Sequence, residues 1–393
     1  MSRTVATGLD RLLAAPSRLA GRRYGLLAHG ASLSADLRPA HRALAASASP
    51  PSVLFGPEHG FYGVEQDMVA AAGGRDPWTG VPILSLYGDS AASLAPTPAA
   101  FAGLDLLLID LQDVGTRYYT YAATAVWAAE AALAAGCEVW VLDRPNPLGG
   151  EIVEGNLPEP GYESFVGAFR TPVRHGLTLG ELVRLEAKRR RWEGRFEIVE
   201  MVGWRRALRW EETGLPFVAP SPNMPTVATA RVYPGGCLVE ATELSEGRGT
   251  TRPFQLTGAP GLDPVALADR LNGLGTGAVF VPTYFRPQFQ KHDGKVCGGV
   301  EIVVADPGAF RSYRAGVELL TAVHEIAPEV FAWRRAAYEF VADVPAIDLL
   351  TRTARCRQAI DGGRRDDLLA WFAGWEADET AFREECAEIL LYR

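Results

Sequence analysis

Glu58 and His59 stand in the segment Gly56-Pro57-Glu58-His59-Gly60-Phe61-Tyr62-Gly63, directly after the short apolar run Ser52 to Phe55. The run reads as a buried strand. It stops at Gly-Pro, and a carboxylate and an imidazole follow at once. Ligands of open α/β sheets bind outside the carboxyl ends of the strands, so this pattern delivers an acid into a glycine-lined mouth. Three further polar clusters follow apolar runs in the same way: Asp110-Leu111-Gln112-Asp113 through Tyr119, Asp143-Arg144-Pro145-Asn146-Pro147 through Gly150, and Ser221-Pro222-Asn223-Met224-Pro225-Thr226. In a parallel sheet such ends converge on one rim.

The residue types gathered there suit glycosidic bond hydrolysis, which uses carboxylates flanking the scissile bond, one of them protonating the leaving oxygen. Glu58, Asp113 and Asp143 supply carboxylates. Tyr118, Tyr119 and Tyr121 offer hydroxyls and flat faces. Arg117, Arg144, Arg248 and Arg252 can hold an anionic substituent by bidentate hydrogen bonds. Carboxylates, aromatics and arginines together suggest an acidic sugar more than a phosphate or a nucleotide. Each residue also has a purely structural reading. Asp110, inside an apolar run, reads as a buried group orienting a loop. Asp143 and Arg144 can form an internal ion pair, Tyr118 to Tyr121 can pack a helix start, and Asn146 can shape a turn between prolines. Thr178-x-x-Glu181 is a capping box, which leaves Arg174 and His175 as further rim candidates. His292-Asp293 falls in a loop between strands.

The elements that would position these groups alternate. Helical patterns cover Leu9 to Leu19, Leu33 to Ala45, Tyr119 to Ala135 and Leu179 to Arg190. Strand patterns cover Arg23 to Ala28, Ser52 to Phe55, Pro82 to Leu86, Leu104 to Leu111, Cys137 to Leu142 and Phe196 to Met201. The continuous apolar character of Leu104 to Leu111 marks a strand buried on both faces. Strand–helix alternation predicts an α/β fold, a Rossmann-like mostly parallel sheet with helices on both faces. Later segments are shorter and richer in glycine and proline: turns at Pro220 to Thr226 and Tyr233 to Gly236, strands at Ala278 to Pro282 and Val300 to Val304, and helices at Pro264 to Leu274, Phe310 to Ala327 and Asp366 to Tyr392. They predict a smaller α/β unit. The expected division is residues 1–243 and 244–393, with the active cleft at the junction.

The 393 residues carry a net charge of -8 and are 48% hydrophobic. The one basic block, Lys188 to Arg191, ends a helical pattern, where the helix dipole favours cations; nucleic acid is not an expected partner. Five scattered cysteines without CxxC spacing argue against a disulfide framework or a zinc site. No stretch is long and apolar enough to span a membrane, and Met1 to Arg23 lacks the apolar core of a signal peptide. A cytoplasmic setting is expected, with no metal and no cofactor; a homodimer is the default association. There is no G-x-S-x-G elbow, no P-loop lysine, no G-x-G-x-x-G after the early strands and no H-E-x-x-H.

Six motifs, in order, resemble the exo-β-N-acetylmuramidase family of NamZ type (glycoside hydrolase family 171): Gly56 to Phe61, Asp110 to Tyr121, Asp143 to Pro147, Arg174 to Leu182, Pro220 to Pro225, and Glu246-Gly247-Arg248-Gly249-Thr250-Thr251-Arg252-Pro253-Phe254. The resemblance runs from Gly8 to Tyr392. It implies release of N-acetylmuramic acid from the non-reducing ends of peptidoglycan fragments. The family's catalytic glutamate falls on Glu58; Asp113 is added from its placement. The Glu246 to Arg252 loop would reach over the cleft, its arginines facing the lactyl carboxylate of muramic acid. Candidate substrate contacts are therefore His59, Arg117, Tyr118, Tyr119, Tyr121, Asp143, Arg144, Asn146, His175, Asn223, Glu246, Arg248, Thr250 and Arg252. The alternatives are a binding protein for cell-wall fragments without catalysis, and a hydrolase of another acidic amino sugar.

Overall fold

The computed structural model describes residues 4–47, 49–66 and 69–393; the first three residues of the Met1 to Arg23 segment lie outside them. A seven-stranded sheet is built from β1 (Tyr24–Ala28), β2 (Val53–Gly56), β3 (Gly74–Arg75), β4 (Pro82–Ser85), β5 (Leu106–Asp110), β6 (Glu138–Leu142) and β7 (Phe196–Val199), in the order β3-β4-β2-β1-β5-β6-β7. All pairings are parallel except β3 with β4. The chain leaves β1 toward β2 and β4, then returns to lay β5 on the other side of β1. This reversal opens a crevice at the carboxyl ends of β1, β2 and β5.

Period-two alternation in the strands feeds two cores. Leu27, Phe55, Leu107, Ile109, Val139 and Val141 face α3 (Tyr121–Ala134) and α4 (Leu179–Arg190). Leu26, Leu54, Leu106, Leu108, Trp140 and Leu142 face α1 (Gly8–Leu13) and α2 (Ala40–Ser47). Two early helices are shorter than their patterns. Pro16 begins a separate 3-10 turn, Pro16–Leu19, and α2 starts only after Pro39, because a proline disfavours helical geometry in the residue before it.

A three-stranded antiparallel sheet, β8 (Leu256–Ala259), β10 (Cys297–Val304) and β9 (Ala278–Phe285) in that order, forms the smaller unit. It packs with α5 (Val227–Gly236), α6 (Pro264–Asn272) and α7 (Ser312–Ile326), followed by α8 (Ala346–Thr351), α9 (Arg355–Asp361) and α10 (Arg365–Cys386). Tyr233 to Gly236, expected as a turn, closes α5 instead; Pro234 is tolerated near the end of that helix. All five cysteines are free and buried. No helix among the described residues is long and apolar enough to cross a membrane.

Candidate active site

Gly56 ends β2, and a Cβ there would lie 2.5 Å from the Phe61 nitrogen. The missing side chain lets the chain fold back at once, so the next residues stand at the rim. His59 adopts a left-handed φ of 67°, followed by Gly60 at 78°. A non-glycine residue held there costs on the order of 1–2 kcal/mol, and such strain concentrates at functional sites. Glu58 is 4% exposed, and its Oε2 accepts a hydrogen bond from the Thr120 hydroxyl at 2.6 Å. His59 Nδ1 lies 2.8 Å from the Glu65 carbonyl. A carbonyl only accepts, so Nδ1 carries a proton, and in a neutral ring Nε2 offers a lone pair.

The β5 loop supplies the facing wall. The Gly115 N–H donates to Asp113 Oδ2 at 2.6 Å, and Gly115 has φ 74° with Asn146 pressed against it. Asn146 Oδ1 accepts from the Leu148 N–H and its Nδ2 donates to the Leu177 carbonyl, both at 2.9 Å. The turn then delivers Tyr119, Thr120 and Tyr121 to the start of α3. The Tyr119 and Tyr121 rings meet edge to face at 4.9 Å, and the Tyr121 hydroxyl donates to the Pro220 carbonyl at 2.7 Å. The loops after β1 and β5 are tied by the Gln112 N–H, which donates to His29 Nε2 at 2.8 Å.

These walls border an open pocket of about 520 Å³, counted with the solvent-filled mouth. Glu58, His59, Tyr118, Tyr119, Tyr121, Asn223 and Arg248 of the predicted residues line it. Thr120, Ser221, Met224, Tyr233, Glu240, Phe254, Tyr338 and Glu339 also line it and were not among the candidates. Thr120, Ser221, Met224 and Phe254 lie inside the quoted motifs; Tyr233, Glu240, Tyr338 and Glu339 come from outside them. Across from Glu58, Arg248 pairs with Glu240 and sits 3.3 Å from Glu246, with its guanidinium 5.3 Å above the Phe254 ring. The Tyr338 hydroxyl donates to Glu240 Oε2 at 2.6 Å, and Lys291 donates to Glu246 Oε2 at 2.9 Å.

The remaining candidates do not line the pocket, and the Tyr118 hydroxyl has its partner away from it. Arg117 is buried, with its guanidinium donating to the carbonyls of Asn156, Thr171 and Leu350 at 2.8–3.0 Å; burial pulls its pKa down to about 10. It clamps three chain segments and does not line the pocket. Tyr118 borders the pocket by its ring, while its hydroxyl donates to the Pro234 carbonyl. Arg144 pairs with Asp110, at 2.6 and 2.8 Å, and not with Asp143. Asp143 accepts from the Thr178 and Tyr392 hydroxyls, both at 2.7 Å, and from the Gly180 N–H at 2.8 Å. Burial pushes its carboxyl up to about 6. Glu246 acts as a counter-ion for Lys291 and Arg248, Thr250 donates to the Gly247 carbonyl, and Arg252 pairs with Glu301; none of these three lines the pocket.

Asp113 stands behind the wall and is not part of the lining. Burial pushes its carboxyl up to about 7, and its charge acts on Tyr119 together with that of Glu58. His175 Nε2 is 4.0 Å from Asp113 Oδ2, and burial drives the ring down to about 3, so it is neutral. This pair is therefore a polar contact and not a salt bridge. Among the described residues, no three His, Cys, Asp or Glu side chains gather in a metal-binding group.

Residues 24–228 match the family described as exo-beta-N-acetylmuramidase NamZ, N-terminal, and residues 231–392 match its C-terminal counterpart. The peptidoglycan beta-N-acetylmuramidase NamZ of Bacillus subtilis (strain 168) is 42% identical over 330 residues, 83% of this chain and 79% of that protein. Two DUF1343 family proteins from Bacteroides fragilis NCTC 9343, known from crystal structures, superpose with TM-scores of 0.86 and 0.74. They are 29% and 26% identical, over 100% and 99% of both chains.

Proposed function

The chain belongs to the exo-β-N-acetylmuramidase NamZ family, and from that premise we propose that it is an exo-acting glycoside hydrolase releasing N-acetylmuramic acid from the non-reducing ends of peptidoglycan fragments. The observation that carries the reading is the placement of Glu58: a buried carboxyl at the carboxyl end of β2, in a pocket walled by tyrosines, with one oxygen held by Thr120. The Thr120 bond fixes Oε2, which leaves Oε1 for the substrate. Glu58 gives its proton to the departing glycosidic oxygen, the bond to the anomeric carbon breaks, and water adds to that carbon, its surplus proton restoring the Glu58 acid. Tyr119 and Tyr121 supply the flat faces against which a sugar ring can rest. Asn223, whose amide donates to Gln66 Oε1 at 2.9 Å, lines the same space.

Arg248 is the cation we assign to the lactyl carboxylate, because it lines the pocket whereas Arg252 is held by Glu301 outside it. Asp113 is a positioning residue that acts through Tyr119. The cleft lies between the two units, divided as residues 1–243 and 244–393: Glu58 to Tyr121 come from one, and Arg248, Phe254 and Tyr338 from the other. Five free buried thiols support a reducing cytoplasm, where the enzyme would act on recovered cell-wall fragments; fractionation that recovers the protein outside the cytoplasm overturns that location. The activity is tested with a chromogenic N-acetylmuramide and its N-acetylglucosamine analogue. The site predicts cleavage of the muramide and discrimination against the analogue, which lacks the carboxylate. Cleavage of the analogue alone refutes the substrate assignment.

A further inference from the structure

A second, open cavity, of about 730 Å³ counted with its solvent-filled mouth, shares no lining residue with the Glu58 pocket. The loop after β6 forms one side of it, and Pro307 and Phe310 of the smaller unit form another. Four arginines line it, Arg174, Arg206, Arg209 and Arg231, against a single exposed acid, Glu151.

Two of these arginines are already neutralised. Arg206 lies 2.9 Å from Glu181 Oε1, and Arg231 lies 2.6 Å from Glu211 Oε2. Arg174 is different. It is 6% exposed, its one side-chain hydrogen bond runs to the Leu148 carbonyl at 2.6 Å, and its Nε has no partner. The acid whose charge favours it, Glu154, spends Oε1 on the Arg314 N–H at 2.9 Å. A guanidinium has five donors in a planar fork, and burying it with one acceptor carries a desolvation cost that the nearby Glu154 charge only partly offsets. Arg209 is exposed and lines the same space.

We propose that this cavity is an oxyanion-binding site, distinct from the sugar pocket, in which Arg174 and Arg209 grip a carboxylate or a phosphate. A planar or tetrahedral oxyanion would fill the open donor positions of Arg174 with bidentate, charge-assisted bonds. Arg209, from the exposed rim, would close over the anion. The site stands at the junction of the two units, so an occupant would touch both. The inference does not depend on the glycosidase reading.

The test is calorimetric titration of the full chain at constant ionic strength with inorganic phosphate and, separately, with N-acetylalanine as the carboxylate. Saturable binding of either supports the site, and the ligand that binds names the source. Arg209→Ala should weaken that binding about tenfold, the loss of one charge-assisted hydrogen bond, and Arg174→Met should weaken it at least as much. Because Arg174 is buried and its variant can fail to fold, Arg209→Ala carries the test alone if needed. Glu58→Gln should leave the binding unchanged. Absence of saturable binding for both ligands, binding unaffected by Arg209→Ala, or binding lost in Glu58→Gln each overturns the proposal.

Discussion

Replacing Arg144 by Met would separate a structural arginine from a substrate-binding one. Arg144 donates from Nε to Asp110 Oδ1 at 2.6 Å and from a terminal nitrogen to Oδ2 at 2.8 Å, and Asp110 is fully buried at the end of β5. Burial pushes the Asp110 carboxyl up, and Arg144 pulls it back. Methionine keeps most of the side-chain volume but removes both bonds to Asp110 and a third, at 3.0 Å, to the Leu33 carbonyl, and breaking a buried pair this way typically costs 3–5 kcal/mol. The carboxyl has an escape, which sets a ceiling. It can take up a proton, at about 1.4 kcal/mol for each pH unit above an unfolded value near 3.9, or about 4 kcal/mol at pH 7 and about 1.5 kcal/mol at pH 5. The sign follows: the variant's native state holds a proton that its unfolded state has lost, so its deficit grows as pH rises. Urea unfolding of wild type and Arg144→Met at both pH values measures it, with about 3 kcal/mol expected at pH 7 and roughly half or less of that at pH 5. A loss under about 1 kcal/mol at pH 7, or one independent of pH, refutes the pairing.

Two further perturbations follow from the β5 loop. Gly115→Ala introduces a Cβ 2.3 Å from Asn146 Oδ1 at a residue with φ 74°; it should cost about 2 kcal/mol or more in denaturant unfolding and reduce kcat by displacing Tyr119 to Tyr121. Asp113 has a folded pKa of about 7 against an unfolded value near 3.9. Its protonated form contributes stability that is complete below pH 4 and lost as pH rises toward 7. Asp113→Asn should therefore gain stability relative to wild type across that window, by at most about 4 kcal/mol; a difference curve flat in pH contradicts the assignment.

The rim was legible because its strands are. The apolar run Leu104 to Leu111 contains the interior strand β5, and the Gly-Pro break placed Glu58 beyond β2. What escaped the sequence is direction. Asp143 and Arg144 are neighbours, but successive side chains of an extended segment point to opposite sides. Asp143 therefore turns to the start of α4 and to Tyr392, while Arg144 turns to Asp110. Arg117 reads as a rim cation because its three carbonyl acceptors lie 39, 54 and 233 positions away and carry no side-chain signature. Tyr233, Glu240 and Tyr338 reach the pocket from segments far from Glu58 along the chain, where periodicity says nothing. The two shortened helices show the reverse case, since Pro16 and Pro39 were visible and local sterics decided the boundary.

Glu58→Gln tests the central claim most directly, with single-turnover hydrolysis and calorimetric binding measured on the same N-acetylmuramide. The placement of Glu58 predicts turnover reduced by about 10²–10⁴-fold, the usual contribution of a general acid, with affinity within about threefold of wild type. Turnover close to wild type, or a variant that loses binding and activity in equal proportion, would contradict it.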